Sequence, residues 1–272
     1  MIGIYNIHMI EVSHESPISI LTASVDYNDY DYALVHLFEE HEKYYDFFVD
    51  GIKSRRTVYL DNSIFELGES FDKTRYIGWI EKLRPTLYIV PDTLESSDST
   101  IQKFSDWLDD EHTNKLTGVK MGVVQGTTWN ELVECYRYMA THADMIAISF
   151  DYSYYQTTGE GDTKLLRFCT GRQKLIDDLK RYGVWDYNKP HHLLGCSLAR
   201  EFKHYVDDRS IVSIDTSNPV VAAIKHQRYM VNIGLNDKPR TLLADLIGHD
   251  MSSEQMDLLL YNTCQFKKII NR

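Results

Sequence analysis

Short apolar runs bounded by turn residues alternate along this chain with segments of 3.6-residue periodicity. ISILTASV (18–25), TVYLD (57–61), TLYIVPD (86–92), GVKMGVVQG (118–126), MIAISFD (145–151), HHLLGCS (191–197), SIVSID (210–215) and YMVNIGL (229–235) predict strands. Amphipathic segments between them predict helices over 31–52, 71–84, 96–112, 127–143, 165–183, 198–208 and 219–227, with a last helix in MSSEQMDLLLYNTCQFKKII. Pro85 stops the second helix, Thr128 and Glu131 form a capping box, and Pro219 stands near a helix start. The strand runs are almost wholly apolar, as when both faces of a sheet are covered. Repeated strand–helix units imply a parallel sheet with right-handed crossovers. Eight units in a chain of this length predict an α/β fold, a closed (β/α)8 TIM-like barrel over 1–272 as one domain. A doubly wound open sheet is the alternative, without a Gly-rich dinucleotide fingerprint to support it. YSYYQTTGEGDTK (152–164) is the most loop-like insertion and a candidate lid.

Polar residues collect where the runs end: Asp61-Asn62-Ser63, Pro91-Asp92-Thr93, Gln125-Gly126, Phe150-Asp151-Tyr152, Gly195-Cys196-Ser197 and Asp215-Thr216-Ser217-Asn218. In a parallel barrel these ends share one face, where barrel enzymes place their active sites. Crowded carboxylates shift one another's pKa and divide into acid, base and nucleophile. A lone Asp or Ser at a strand-to-helix turn is an ordinary N-cap, and Asp92 taken alone reads that way. Asp61 and Asp215 stand several residues before the next helix, so capping explains them less well. Repetition at six strand ends carries the functional reading.

Composition narrows the partners. The 272 residues are 43% hydrophobic and 25% charged, with a net charge of −11. A protein that coats nucleic acid non-specifically is usually basic, so overall charge argues against such a role. Local basic clusters run the other way: Lys53-Ser54-Arg55-Arg56, Lys225 to Arg228, and Lys267-Lys268 to Arg272. Exposed members of the 19 tyrosines are candidates for base stacking. Cys135, Cys169, Cys196 and Cys264 stand alone, without CxxC or CxH spacing. They read as small hydrophobes in a reducing, cytoplasmic compartment, not as a zinc site or disulfide frame. No apolar run reaches about 18 residues, so no membrane span is expected. The opening MIGIYNIHMIEVSHES is too short and polar for a secretion signal.

The order of the motifs is similar to that of the tRNA-guanine transglycosylase superfamily. LDNSIFELG (60–68) resembles its DSGGFQ-type segment, VVQGTTWNEL (123–132) its VVQGG segment, and LLGCSLAREFKHYVDDRSIVSID (193–215) the stretch that ends in its nucleophilic aspartate. MIAISFDYS (145–153) falls where the family carries a Gly-Gly segment. The resemblance spans roughly residues 57 to 220 and rests on collinearity. The chain departs from the pattern in lacking the zinc-binding cysteine cluster after the nucleophile. TSNP replaces PTR, and Ile148-Ser149-Phe150 replaces the glycine pair. These departures are similar to compact DNA-acting relatives that insert 7-deazaguanine bases, which makes DNA a more natural partner than tRNA, with a free modified nucleobase as co-substrate.

The resemblance implies that Asp215 attacks the sugar C1′ to form a covalent intermediate, a carboxylate being suited to an atom that develops positive charge. Asp61 is then the general acid/base. Asp92 and Gln125 bind the base edge, Asn62, Ser63 and Asp151 assist, and the backbone at Gly195 approaches closely. Phe65 or a tyrosine from 152–155 stacks on a base flipped from its helix, and clusters such as 225–228 hold flanking phosphates. No metal or organic cofactor is required. Three alternatives remain open: a glycosylase that resolves the intermediate with water and leaves an abasic site, a barrel enzyme acting on a small nucleoside or sugar phosphate, and a non-catalytic binding module.

Overall fold

The computed structural model describes residues 9–110, 112–239 and 241–271. Residues 1–8 of the polar opening stretch, and Arg272 of the last basic cluster, lie outside the described residues. The chain is an α/β barrel of eight parallel strands in one domain: β1 (Glu11–Ser13), β2 (Asp31–Leu34), β3 (Val58–Asp61), β4 (Leu87–Ile89), β5 (Val119–Val124), β6 (Met145–Ile148), β7 (His191–Leu193) and β8 (Ile211–Asp215). The hydrogen-bonded order is β1-β8-β7-β6-β5-β4-β3-β2, so each strand lies beside its sequence neighbour and β8 returns to β1. Between β1 and β2 the ladder gives way to a seam. There the Asp29 N–H donates to the Val12 carbonyl at 2.9 Å, and the Val12 N–H donates to the Asp29 carboxylate at 2.9 Å.

The main helices are α1 (Glu42–Lys53), α2 (Lys73–Leu83), α3 (Ser97–Asp109), α4 (Trp129–His142), α5 (Lys164–Arg181), α6 (Asn218–Ile224) and α7 (Ser253–Ile270). Each helix from α1 to α6 follows the strand of the preceding unit and buries its apolar stripe against the barrel. At the start of α4, Thr128 accepts from the Glu131 N–H and Glu131 accepts from the Thr128 N–H, the reciprocal box expected from the sequence. Among the described residues no helix is long and apolar enough to cross a membrane.

The six central strand runs, from TVYLD to SIVSID, form strands, and the two outermost expectations fail. ISILTASV is a 3-10 turn (Ile18–Ile20) running into one helical turn (Leu21–Ser24). Its buried positions are Ile20, Leu21 and Ser24, with Tyr27 beyond, a helical spacing that an apolar run conceals. The true first strand has only three residues. The second, DYAL, lies inside the segment expected to be helical from 31. All four of its residues are buried, and its Asp31 is tolerated because Arg56 Nε donates to it at 2.7 Å. YMVNIGL is not a strand: it makes a tight turn bridged between Met230 and Gly234, with Asn232 at φ 60°. Segment 198–208 contains a 3-10 helix, Ala199–His204, instead of an α-helix. The candidate lid holds a short helix, Ser153–Thr158, packed on α5: a Cβ added at Gly171 would lie 2.4 Å from the Tyr155 Cβ.

Candidate active site

The strand C-termini open into one cavity of about 190 Å3. Each water needs about 10–15 Å3 of such space, so it has room for roughly a dozen waters, enough for a ring and part of a sugar. Asp61, Asn62, Phe65, Asp92, Gln125, Gly195 and Asp215 all line it. Two expected residues do not. Ser63 is buried at φ 58°, its N–H donating to Asp61 Oδ1 and its hydroxyl accepting from the His36 N–H at 3.3 Å. It shapes the turn beneath Asp61. Asp151 accepts from the Ser149 hydroxyl at 3.1 Å and lies outside the lining.

Asp215 ends β8 with its two oxygens in different states. Oδ1 is 2.9 Å from His192 Nε2 and accepts from the Gly195 N–H at 3.1 Å. His192 Nδ1 is 2.8 Å from the Ser213 hydroxyl, so the tautomer that donates from Nε2 accepts from Ser213 at its other nitrogen. The imidazole also stacks on Tyr32, centroids 6.0 Å apart and planes 13° apart. Oδ2 has no hydrogen-bond partner among the described residues. One oxygen is anchored and the other is open to an incoming atom. Asp215 is not a helix cap, because the cap position of α6 belongs to Ser217.

The loop that supplies the Gly195 N–H is braced from behind. The buried Arg172 guanidinium donates to the carbonyls of Leu194 at 2.9 Å and Gly195 at 3.2 Å, and its Nε donates to Glu201 at 2.6 Å. Gly195 sits at φ +65°, and a Cβ there would come within 2.4 Å of Phe150 Cδ1. The bulky Phe150 therefore fits here only against a glycine.

Asp61 lies across the cavity, where Tyr32 donates to its Oδ2 at 2.6 Å. Burial, reinforced by the nearby Glu66 carboxyl and then by Asp215, holds the Asp61 carboxyl well above the usual carboxylate range, against the opposing pull of the Tyr32 and Ser63 bonds. A carboxyl raised in this way suits a general acid. Sequence reasoning missed two further acids in the lining, Glu15 and Glu66. Burial, then Asp215, pushes Glu66 up to about 7. Burial, with Asp215, Glu66 and Asp61 in turn, pushes Glu15 well up. Glu66 Oε2 is buried without a hydrogen-bond partner among the described residues. Glu66 stood within the quoted LDNSIFELG segment; Glu15 follows the strand that the apolar pattern overlooked.

Asp92 faces the β4–β5 side. Asn62 Nδ2 donates to its Oδ1 and Gln125 Nε2 to its Oδ2, each at 2.8 Å, and Lys103 Nζ donates to its main-chain carbonyl at 2.6 Å. The cap of α3 is Ser96, so Asp92 is not a cap either. Burial raises its carboxyl while Asn62, Gln125 and Lys103 oppose that rise. Both oxygens retain lone pairs for donors on a ligand, since a carboxylate has about four acceptor sites. Phe65 is 44% exposed at the rim, its ring 5.7 Å from that of Phe150. Tyr152 and Tyr155 are buried, donating to the carbonyls of Val124 and Ser149, and present no stacking face.

No described residue of the three basic clusters lines the cavity. Lys53 to Arg56 precede β3 at the opposite face of the barrel. Arg228 lies over the Tyr261 ring of α7, 3.6 Å from its centroid, and Lys267 pairs with Asp29 before β2. Cys135, Cys169 and Cys196 are buried and Cys264 is exposed, and among the described residues no three His, Cys, Asp or Glu side chains gather as a metal site. A comparison of the chain with protein-family models and with curated proteins finds no match. The class defined by fold and site is a (β/α)8 barrel, an architecture that commonly carries enzymes, with an acid-lined cavity at the strand C-termini.

Proposed function

We propose that the protein breaks the N-glycosidic bond of a nucleoside in nucleic acid and exchanges its base, by way of a covalent aspartyl-sugar intermediate. The observation that carries this reading is the single cavity shared by Asp215, with one oxygen anchored and one open, and Asp61, with a carboxyl raised by burial. Asp215 Oδ2 attacks C1′ as the C1′–N bond breaks. The bonding pair leaves with the base, which takes the Asp61 proton. An incoming base then gives its proton to the Asp61 carboxylate and attacks C1′, releasing Asp215. Asp92, held by Asn62 and Gln125, accepts from donors on the base edge. The collinear resemblance of residues 57 to 220 to the transglycosylase superfamily supports the same assignment. Its departures favour DNA over tRNA.

The placement of the basic clusters favours a second reading, a free nucleoside as substrate. The deciding experiment incubates the protein separately with DNA, with tRNA and with free purine nucleosides. Released bases, inserted bases and abasic sites are then measured by mass spectrometry. Abasic sites without insertion identify a glycosylase. Asp215→Asn abolishes release while its melting temperature stays near that of the wild type, and Asp61→Asn lowers the rate by about 10²–10⁴. Release by Asp215→Asn at the wild-type rate overturns the assignment.

A further inference from the structure

Lys238 is the one Lys or Arg among the described residues that line the cavity. It stands with Phe150 and Cys196, beyond the ends of β6 and β7, while Glu15, Asp61 and Glu66 come from the β1 and β3 units. Among the described residues its ammonium has one hydrogen bond, to the Cys196 carbonyl at 3.4 Å, and it sits 4.4 Å from the Phe150 ring centroid. Among the described residues it forms no ion pair, although the chain carries a net charge of −11 and lysines elsewhere, such as Lys174, Lys180 and Lys267, each hold a carboxylate. Ser217, two residues past Asp215, and Thr241 line the same cavity, and their hydroxyls also lack a partner among the described residues. An ammonium and two hydroxyls with unused donors are the chemistry of an oxyanion site, lysine acting there as a point charge.

We infer that Lys238, with Ser217 and Thr241, binds a phosphate of the substrate, which is therefore a nucleotide unit and not an unphosphorylated nucleoside. The inference rests on the glycosidic reading and selects between its two substrates. Burial lowers the Lys238 ammonium from its ordinary value, with Cys196 and Asp151 opposing and Arg172 adding to the fall, and an anion beside it opposes that fall. Asp215 at the sugar and Lys238 at the phosphate leave the Asp92 side for the base. The phosphate is either the monoester of a free nucleotide or a diester of a polymer.

The test measures binding by titration calorimetry to the Asp215→Asn protein, which holds substrate without turnover. The probes are 2′-deoxyguanosine, its 5′-monophosphate and a short single-stranded oligodeoxynucleotide. A phosphate-bearing probe is expected to bind at least about tenfold tighter than the nucleoside, about 1.4 kcal/mol. Lys238→Met removes that preference, Lys238→Arg keeps most of it, and Ser217→Ala reduces it. For the oligonucleotide, Lys238→Met also lowers the salt slope by about one. Dependence with the monophosphate points to a free nucleotide and dependence with the oligonucleotide to a polymer; both sustain the site. Equal binding of nucleoside and phosphate forms, equal weakening of both by Lys238→Met, or no binding of any probe overturns it. Wild-type base release is measured in parallel. Release without phosphate preference removes the anion site and leaves the glycosidic reading, whereas phosphate preference without release does the reverse.

Discussion

Glu66 shows how much a single side chain in this cavity is governed by its surroundings. Its carboxyl is raised from the ordinary 4.5 to about 7, first by burial and then by Asp215. An acid whose folded pKa is raised holds its proton more tightly in the native state. Its stabilising contribution is complete below about pH 4.5 and is lost as pH climbs through about 7. Glu66→Gln is neutral throughout and does not incur that loss. The variant should melt with the wild type near pH 4.5 and above it at pH 8, by no more than about 3 kcal/mol, since tenfold in an acid constant is about 1.4 kcal/mol. Melting curves from pH 4.5 to 8.5 check this, and a gap that stays constant or shrinks with pH sinks it. The strand-end acids Asp61, Asp92 and Asp215 were legible because apolar runs stop at them. Glu15, Glu66, His192 and Lys238 were not, because each follows a short or irregular segment or, like His192, hides inside a strand run.

At the scale of elements, some helix starts carry a chemical signature that the short strands lack. Thr128 and Glu131 marked the start of α4, and the structure forms both bonds of the box. The same device opens α7 at Ser252 and Gln255. Thr128→Ala should therefore cost about 1 kcal/mol and lower the melting temperature by roughly 2–4 °C in a domain of this size. Base release should be unchanged, because no residue of α4 lines the cavity. A melting temperature equal to that of the wild type would mean that the box adds nothing. Strands of three or four residues offer no such end signal. β1 is too short for alternation to register, and β2 merges into the apolar face of the turn and helix that follow. Ile18 to Val25 misled in the opposite sense, since its composition is strand-like and its burial helical.

For the molecule as a whole, barrel closure is the feature on which the site depends. Asp215 on β8 and Glu15 beyond β1 reach the opening occupied by Asp61 on β3 only if β1 comes round to β2. Asp29 stitches that seam: its carboxylate accepts from the Val12 N–H at 2.9 Å and from Lys267 at 2.7 Å. Asp29→Ala leaves the Val12 N–H without its acceptor and should cost about 1–3 kcal/mol. Amide hydrogen exchange at Val12 should quicken more than at β5, which is paired on both sides. Protection at Val12 unchanged by the substitution would show that closure does not rest on this residue.

The alternation of buried runs and amphipathic segments, the barrel it implies, and the acids at the strand ends were determined by the sequence itself. Each depends on the period with which side chains meet a core, and that period is written locally. Which of those acids share a cavity, and in what state, was decided by the tertiary structure. His192 anchors Asp215, Asn62 and Gln125 hold Asp92, Glu15 and Glu66 crowd in, and Ser63 and Asp151 turn away. Hydrogen bonds and desolvation act through space between residues tens of positions apart, and no periodicity along the chain records them.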